Sequence, residues 1–180
     1  MRTRNLAMIA LLVALTAVAT MIIKIPTPAT RGYINVGDSV IFVAALLFGA
    51  KVGGIAGGAG SALADVLLGY THYAPITLVV KGIEGMIVGG LFGWTRRSIS
   101  SRSGVMVAVP IVLLGGAWMV FGYFSAQVVL YGLGAALGEL VGNTFQALVS
   151  TVIGVPLAVA LRKAGLKSHR KDAKTAEKSK

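Results

Sequence analysis

Apolar residues run along this chain in long blocks separated by short breaks of Gly, Pro, Ser and basic residues. A helix rises about 1.5 Å per residue, so roughly 20 residues cross the ~30 Å hydrocarbon core of a bilayer. Blocks of that kind fall at residues 5–24, 36–51, 52–70, 75–95, 105–124 and 138–161 and predict six transmembrane helices. The second block is short, and Gly49, Lys51, Gly53 and Gly54 read as a tight turn into the third. The first block has the small residues Ala17 and Ala19 of a secretory leader, yet its apolar stretch over residues 6–23 exceeds the ~7–15 residues of a leader core. It is therefore read as a span.

Composition agrees with that pattern. Of 180 residues, 56% are hydrophobic and 13% charged, and the mean hydropathy of +0.81 is that of an all-α integral membrane protein. Cysteine is absent and the histidines are His72 and His169, which leaves no thiol chemistry, no disulfide and no ligand set for structural zinc. No metal site and no cofactor are expected.

The net charge of +11 matters through its distribution, because Lys and Arg are retained on the cytoplasmic side of a membrane. Six spans put both termini on one side. That side collects Arg2, Arg4, Lys51, Arg96, Arg97, Arg102 and eight basic residues from Arg162 onward, against only Lys24 and Arg31 on the other. Both termini are thus expected in the cytoplasm, in a multi-pass cell-membrane protein. The tail KSHRKDAKTAEKSK, residues 167–180, has no apolar period and is expected to be disordered, a basic cytoplasmic segment that touches anionic lipid, with residues 1–166 as the membrane domain. No aromatic interleaves its charges, so nucleic acid is not an expected partner.

Small residues recur every fourth position at Gly49, Gly53, Gly57 and Ser61, at Gly85, Gly89 and Gly93, and at Gly134, Gly138 and Gly142. Such stripes let membrane helices pack closely and are read as packing seams. The polar residues within the spans are harder to explain. A charged side chain at the centre of a membrane helix costs about 3 kcal/mol on insertion scales and needs a partner or a watery cavity.

With the topology above, Asp65 and Lys81 lie at one level, roughly 8–9 Å below the outer ends of adjacent helices, and are expected to form an ion pair. Glu84 follows Lys81 by one turn. Asp38 opens the second helix from outside, and Glu139 opens the sixth, continued down one face by Asn143, Gln146 and Ser150. Asp65 is best explained as an internal clamp. For Lys81 and Glu84 a clamp and a ligand contact are equally well supported, whereas Glu139, Asn143 and Gln146 offer donors and acceptors at successive depths and favour a ligand. The outer segment IPTPATRGYINVGD, residues 25–38, carries two prolines, Arg31, Tyr33 and Asn35 and is no helix; it is either a connector or a lid over a pocket mouth. Trp94, Tyr70 and Tyr73 read as interfacial anchors. Trp118, Phe121, Tyr123 and Phe124 form either a wall that stacks a planar ligand or a lipid-facing cluster.

The chain has no GxxxxGK[ST] element, and GGIAGGAGS lacks the lysine that would reach a phosphate. No HExxH or GxSxG occurs, so neither nucleotide hydrolysis nor an intramembrane enzyme is supported. An autonomous six-helix secondary transporter or channel would need polar groups through the cytoplasmic half as well, and the sequence places them in the outer half.

The run INVGDSVIFVAALLFGAKVGGIAGGAGSALADVLLGYTHYAPITLVVKGIEGMIVGGLFG, followed by ELVGNTFQALVSTVIGVPLA, resembles the S components of energy-coupling factor (ECF) transporters, bacterial vitamin importers, in the branch near the riboflavin and hydroxymethylpyrimidine type. The GD, GS-x-x-AD, K-x-x-EG and E-x-x-x-N-x-x-Q elements carry the resemblance, which extends over nearly the whole chain. It implies a six-helix bundle that holds one vitamin or precursor in an outward-facing pocket. It also implies partners: a coupling transmembrane subunit and two ATPase subunits, docked through an Ala-x-x-x-Ala face on the first helix that matches Ala10 and Ala14, extended by Ala7 and Ala17. The resemblance places substrate contacts at Asn35, Lys81, Glu84, Glu139, Asn143 and Gln146, to which the aromatic cluster adds Trp118.

Overall fold

In the computed structural model, residues 3–27 and 30–165 are described; the basic tail at 167–180 lies outside them. Six helices form the bundle: α1 (Thr3–Ile22), α2 (Asp38–Phe48), α3 (Ala50–Leu67), α4 (Ala74–Trp94), α5 (Arg102–Tyr131) and α6 (Leu133–Lys163). Between α1 and α2 two short strands, β1 (Lys24–Thr27) and β2 (Gly32–Asn35), pair antiparallel with Lys24 opposite Asn35 and Thr27 opposite Gly32. The segment expected to be non-helical is thus a β-hairpin. α1, α4, α5 and α6 are long and apolar enough to cross a membrane; α3, with 18 residues, has its hydropathy lowered by its glycines.

α2 departs most from the expected span. Its 11 residues cover only about 17 Å, half a bilayer, and nearly every residue from Asp38 to Leu47 is buried. An apolar sequence without a polar face belongs inside a bundle, and α2 is packed among α1, α3, α4 and α6. It ends where Gly49 adopts φ 89°, a left-handed conformation that a side chain would strain, and the chain folds back as α3 with Gly53 against Ala45.

α3 and α4 run antiparallel through the expected glycine seam. A β-carbon on Gly53 would lie 2.9 Å from the Gly85 carbonyl, and one on Gly57 would lie 2.6 Å from that of Lys81; backbone meets backbone, as small residues permit. Gly89 packs on Ala50, whereas Gly93 and Gly134 face open space and Gly142 faces Ile34 of the hairpin. The third stripe is therefore no helix seam.

α5 and α6, with 30 and 31 residues, extend well beyond the predicted 105–124 and 138–161. No helix breaker stands between Tyr123 and Gly132, so both helices run on until Gly132, at φ 86°, turns the chain. These added turns stand over the hairpin end of the bundle. The main apolar core, including Phe42, Leu46, Val88, Phe92, Val112 and Val155, fills the half nearer the termini, and the buried charged side chains gather in the other.

Candidate substrate pocket

Three elements bring polar groups together beneath the hairpin. The short α2 begins with Asp38 deep in the bundle, where the helix N-terminus favours negative charge. Its Oδ1 accepts from Lys81 Nζ and its Oδ2 accepts from Gln146 Nε2 at 2.8 Å. Lys81 Nζ also lies 3.3 Å from Glu84 Oε2. All three charged side chains are shielded from solvent, Glu84 completely.

The expected Asp65–Lys81 ion pair does not form. The close glycine packing of α3 on α4 abuts the Lys81 backbone, and the lysine side chain reaches toward Asp38 on the central helix. Asp65 instead accepts from the Tyr33 hydroxyl at 2.6 Å. Burial, with the Asp65 carboxylate second, pushes the Tyr33 phenol well above its usual range, so it stays a donor.

The hairpin is tied down along its length. Thr30 Oγ1 donates to Glu139 Oε1, the Tyr73 hydroxyl donates to the Thr30 carbonyl at 3.0 Å, and the Asn35 backbone N–H donates to Gln146 Oε1 at 2.8 Å. Gln127, on the added turns of α5, donates from Nε2 to Glu139 Oε2. Around these contacts lies a cavity of about 30 Å³, lined by Thr20, Asn35, Asp65, Lys81, Gln127, Glu139, Asn143 and Gln146 with the rings of Tyr33, Tyr73 and Tyr123. Asn143 Nδ2, Gln127 Oε1 and Thr20 Oγ1, all buried, have no hydrogen-bond partner. Buried polar groups are nearly always paired, so these stand out.

Of the residues predicted to contact a substrate, Asn35, Lys81, Glu139, Asn143 and Gln146 are brought together here. Glu84 and Trp118 are not. Glu84 lies beneath the cavity against Lys81, and the Trp118 indole donates to the Val80 carbonyl at 3.1 Å. The aromatic cluster is divided: Tyr123 lines the cavity and donates to Thr77 Oγ1 at 3.0 Å, while Phe121 and Phe124 face an apolar crevice between α5 and α6. Tyr73 is buried rather than an interfacial anchor, and Tyr70 packs on Tyr33 with centroids 4.8 Å apart; Trp94, 83% exposed, keeps an anchor's position.

Sequence reasoning missed Asp38 as the lysine's partner, and missed Gln127 and Tyr33 in the cavity wall. Gln127 carried a signal, a buried-type amide one turn beyond a span drawn too short. On α1, Ala7, Ala10 and Ala14 share an exposed face with Leu11, Leu15 and Val18, whereas Ala17 is buried. Among the described residues no His, Cys, Asp and Glu cluster has a metal-binding arrangement.

A bundle of membrane helices enclosing a polar cavity near one face is the architecture of a small-molecule transport subunit, and sequence comparison says which kind. A family model described as ECF-type riboflavin transporter, S component, matches residues 1–163, and the chain belongs to that family. It is a multi-pass, vitamin-uptake membrane subunit and not an enzyme. A protein of Pyrococcus woesei described as "Uncharacterized protein in gap 3'region" is 45% identical over 146 residues, 81% of this chain and 93% of its own. The "Thiamine precursor transporter HmpT" of Lactococcus lactis subsp. cremoris (strain MG1363) is 28% identical over 165 residues, 91% of this chain and 90% of its own.

Proposed function

We propose that this chain captures one B vitamin or vitamin precursor in the cavity beneath the hairpin and delivers it across the membrane only when joined to a coupling transmembrane subunit and two ATPase subunits. The observation that carries the reading is the set of unpartnered polar atoms on residues lining the cavity, Asn143 Nδ2, Gln127 Oε1, Asp65 Oδ2 and Thr20 Oγ1. Each would regain a hydrogen bond from a ligand, and leaving one unmet costs about 1–3 kcal/mol.

Asn35, Gln127, Glu139, Asn143 and Gln146 serve as ligand contacts and Lys81 forms the floor, with Glu84 setting the lysine and Trp118 bracing α4. The cavity as it stands is smaller than a vitamin ring, and the hairpin, held mainly by side-chain hydrogen bonds, is the element that moves to admit one. A chain without a nucleotide-binding loop has no energy source of its own, so the partners supply the work by favouring a reoriented state. Among the described residues an apolar core fills the half nearer the termini, which favours this reading over an autonomous transporter or channel. Replacement of Asn143 by Leu tests it: binding of the vitamin measured in detergent is expected to be lost while the protein stays monodisperse. Unchanged affinity would remove α6 as the ligand face.

A further inference from the structure

We infer that the turn between α4 and α5, at the end of the bundle that holds the termini, binds the headgroup of an anionic phospholipid. Arg96, Arg97 and Arg102 stand close together there, and all three are exposed. The carboxylates of the bundle lie elsewhere: Asp38, Asp65, Glu84 and Glu139 are buried toward the hairpin, and the remaining acids, Asp172 and Glu177, belong to the tail outside the described residues. A guanidinium cluster without a carboxylate of the bundle at its own end draws an anion from outside the chain. Its depth says which anion. Trp94, 83% exposed, closes α4 just before the arginines, and Met106, 69% exposed, stands one turn beyond Arg102. A tryptophan at headgroup level and an apolar side chain in hydrocarbon bracket the three guanidiniums at the phosphate layer.

Basic residues collect at this end for topology as well, but topology asks only for charge, and the turn provides more. Its backbone is fixed. Ile99 is buried in the main apolar core. Thr95 Oγ1 donates to the Phe92 carbonyl at 2.8 Å and accepts from the Arg97 N–H at 3.3 Å, while Ser101 Oγ accepts from the Gly104 N–H at 3.0 Å. Arg96 is held at φ 54°, a left-handed conformation that glycine adopts freely and an arginine does not. Guanidiniums presented from a rigid turn lose less freedom on binding than the same charges on a loose chain. The exposed hydroxyls of Ser98 and Ser100, 2.8 Å apart, add neutral donors beside the charged ones, and that mixture suits the oxygens of a phosphodiester.

The test is quenching of Trp94 fluorescence in mixed micelles of a neutral detergent, with Trp118→Phe so that a single indole reports. The probes are phosphatidylglycerol and phosphatidylcholine, each brominated on its acyl chains near the glycerol. Phosphatidylglycerol is expected to quench with at least about fivefold higher apparent affinity, and about 0.5 M NaCl to remove most of that preference. Replacing Arg96, Arg97 and Arg102 together by Gln is expected to abolish it, and replacing them by Lys to keep at least about half. Lys51→Gln with Lys163→Gln, at the same end of the bundle, is expected to leave it unchanged, as is removal of residues 167–180. An unfolding midpoint for each variant separates lost binding from lost fold, and native mass spectrometry of the unsubstituted chain, counting retained phosphatidylglycerol against phosphatidylcholine, repeats the comparison without Trp118→Phe. Equal quenching by the two lipids, a preference that survives the triple Gln variant, or one that vanishes with the tail or with Lys51 and Lys163 would each overturn the assignment. Tighter binding of soluble polyglutamate than of phosphatidylglycerol would give the surface to an acidic protein and overturn it too.

Discussion

Lys81 shows how one side chain organises a membrane interior. Its ammonium is buried between Asp38 and Glu84, and removing one partner from such a group leaves uncompensated charge at a cost of about 3–5 kcal/mol. Lys81→Met strands two carboxylates, and its unfolding midpoint in detergent is expected to fall on the order of 10 °C. Glu84→Gln leaves Lys81 its contact with Asp38 and is expected to leave the midpoint unchanged or raise it. An equal loss in both variants would show that the second carboxylate is structurally required. Depth along a helix was legible in the sequence, which set the polar residues of the spans in the outer half or middle of the bundle, and Lys81, Asn143 and Gln146 line one cavity there. Choice of partner was not, because Asp65 and Asp38 both lie within reach on paper and only the placement of α2 decides between them.

The elements divide in the same way. Spans of ordinary length were readable from apolar blocks, and the α3–α4 seam from its glycines, since both follow from local spacing. Gly85→Leu would drive a β-carbon into the backbone of Gly53 and Gly54, the latter amide at 2.9 Å. Backbone cannot step aside as a side chain can, so this variant is expected to lose monodisperse protein in size-exclusion chromatography. Gly93→Ala, with nothing within 4 Å of the added carbon, is expected to be neutral or to gain up to about 1 kcal/mol of helix propensity. A well-behaved Gly85→Leu protein would deny the seam its role. The hairpin and the overlong α5 and α6 were not legible. The hairpin is held by side chains of α3, of the α3–α4 turn and of α6 that receive the segment, and α5 and α6 outrun a bilayer's thickness because only Gly132 ends the helix.

At the scale of the molecule, the proposed function requires a second surface, and α1 supplies the candidate. Its Ala7, Ala10 and Ala14 lie on a face that the other described helices leave exposed, and small residues there allow a partner helix to approach closely. Ala14→Trp is expected to block co-purification with the coupling subunit and leave ligand affinity within about twofold of the unsubstituted protein; normal assembly would remove α1 as the docking face. The polar pocket and this face lie on separate parts of the bundle, so on the proposed function substitutions are expected to break capture and assembly one at a time.

The shortness of α2 reaches back to biosynthesis. Eleven residues are too few to be threaded into lipid as an independent stop, and Asp38 at their head opposes it further. Asp38 can meet its lysine only once α4 has been synthesised, because Lys81 lies on that later helix. Until then Asp38 lacks the ammonium that it meets in the finished bundle, so the central helix reaches its final surroundings only after α4 has been made.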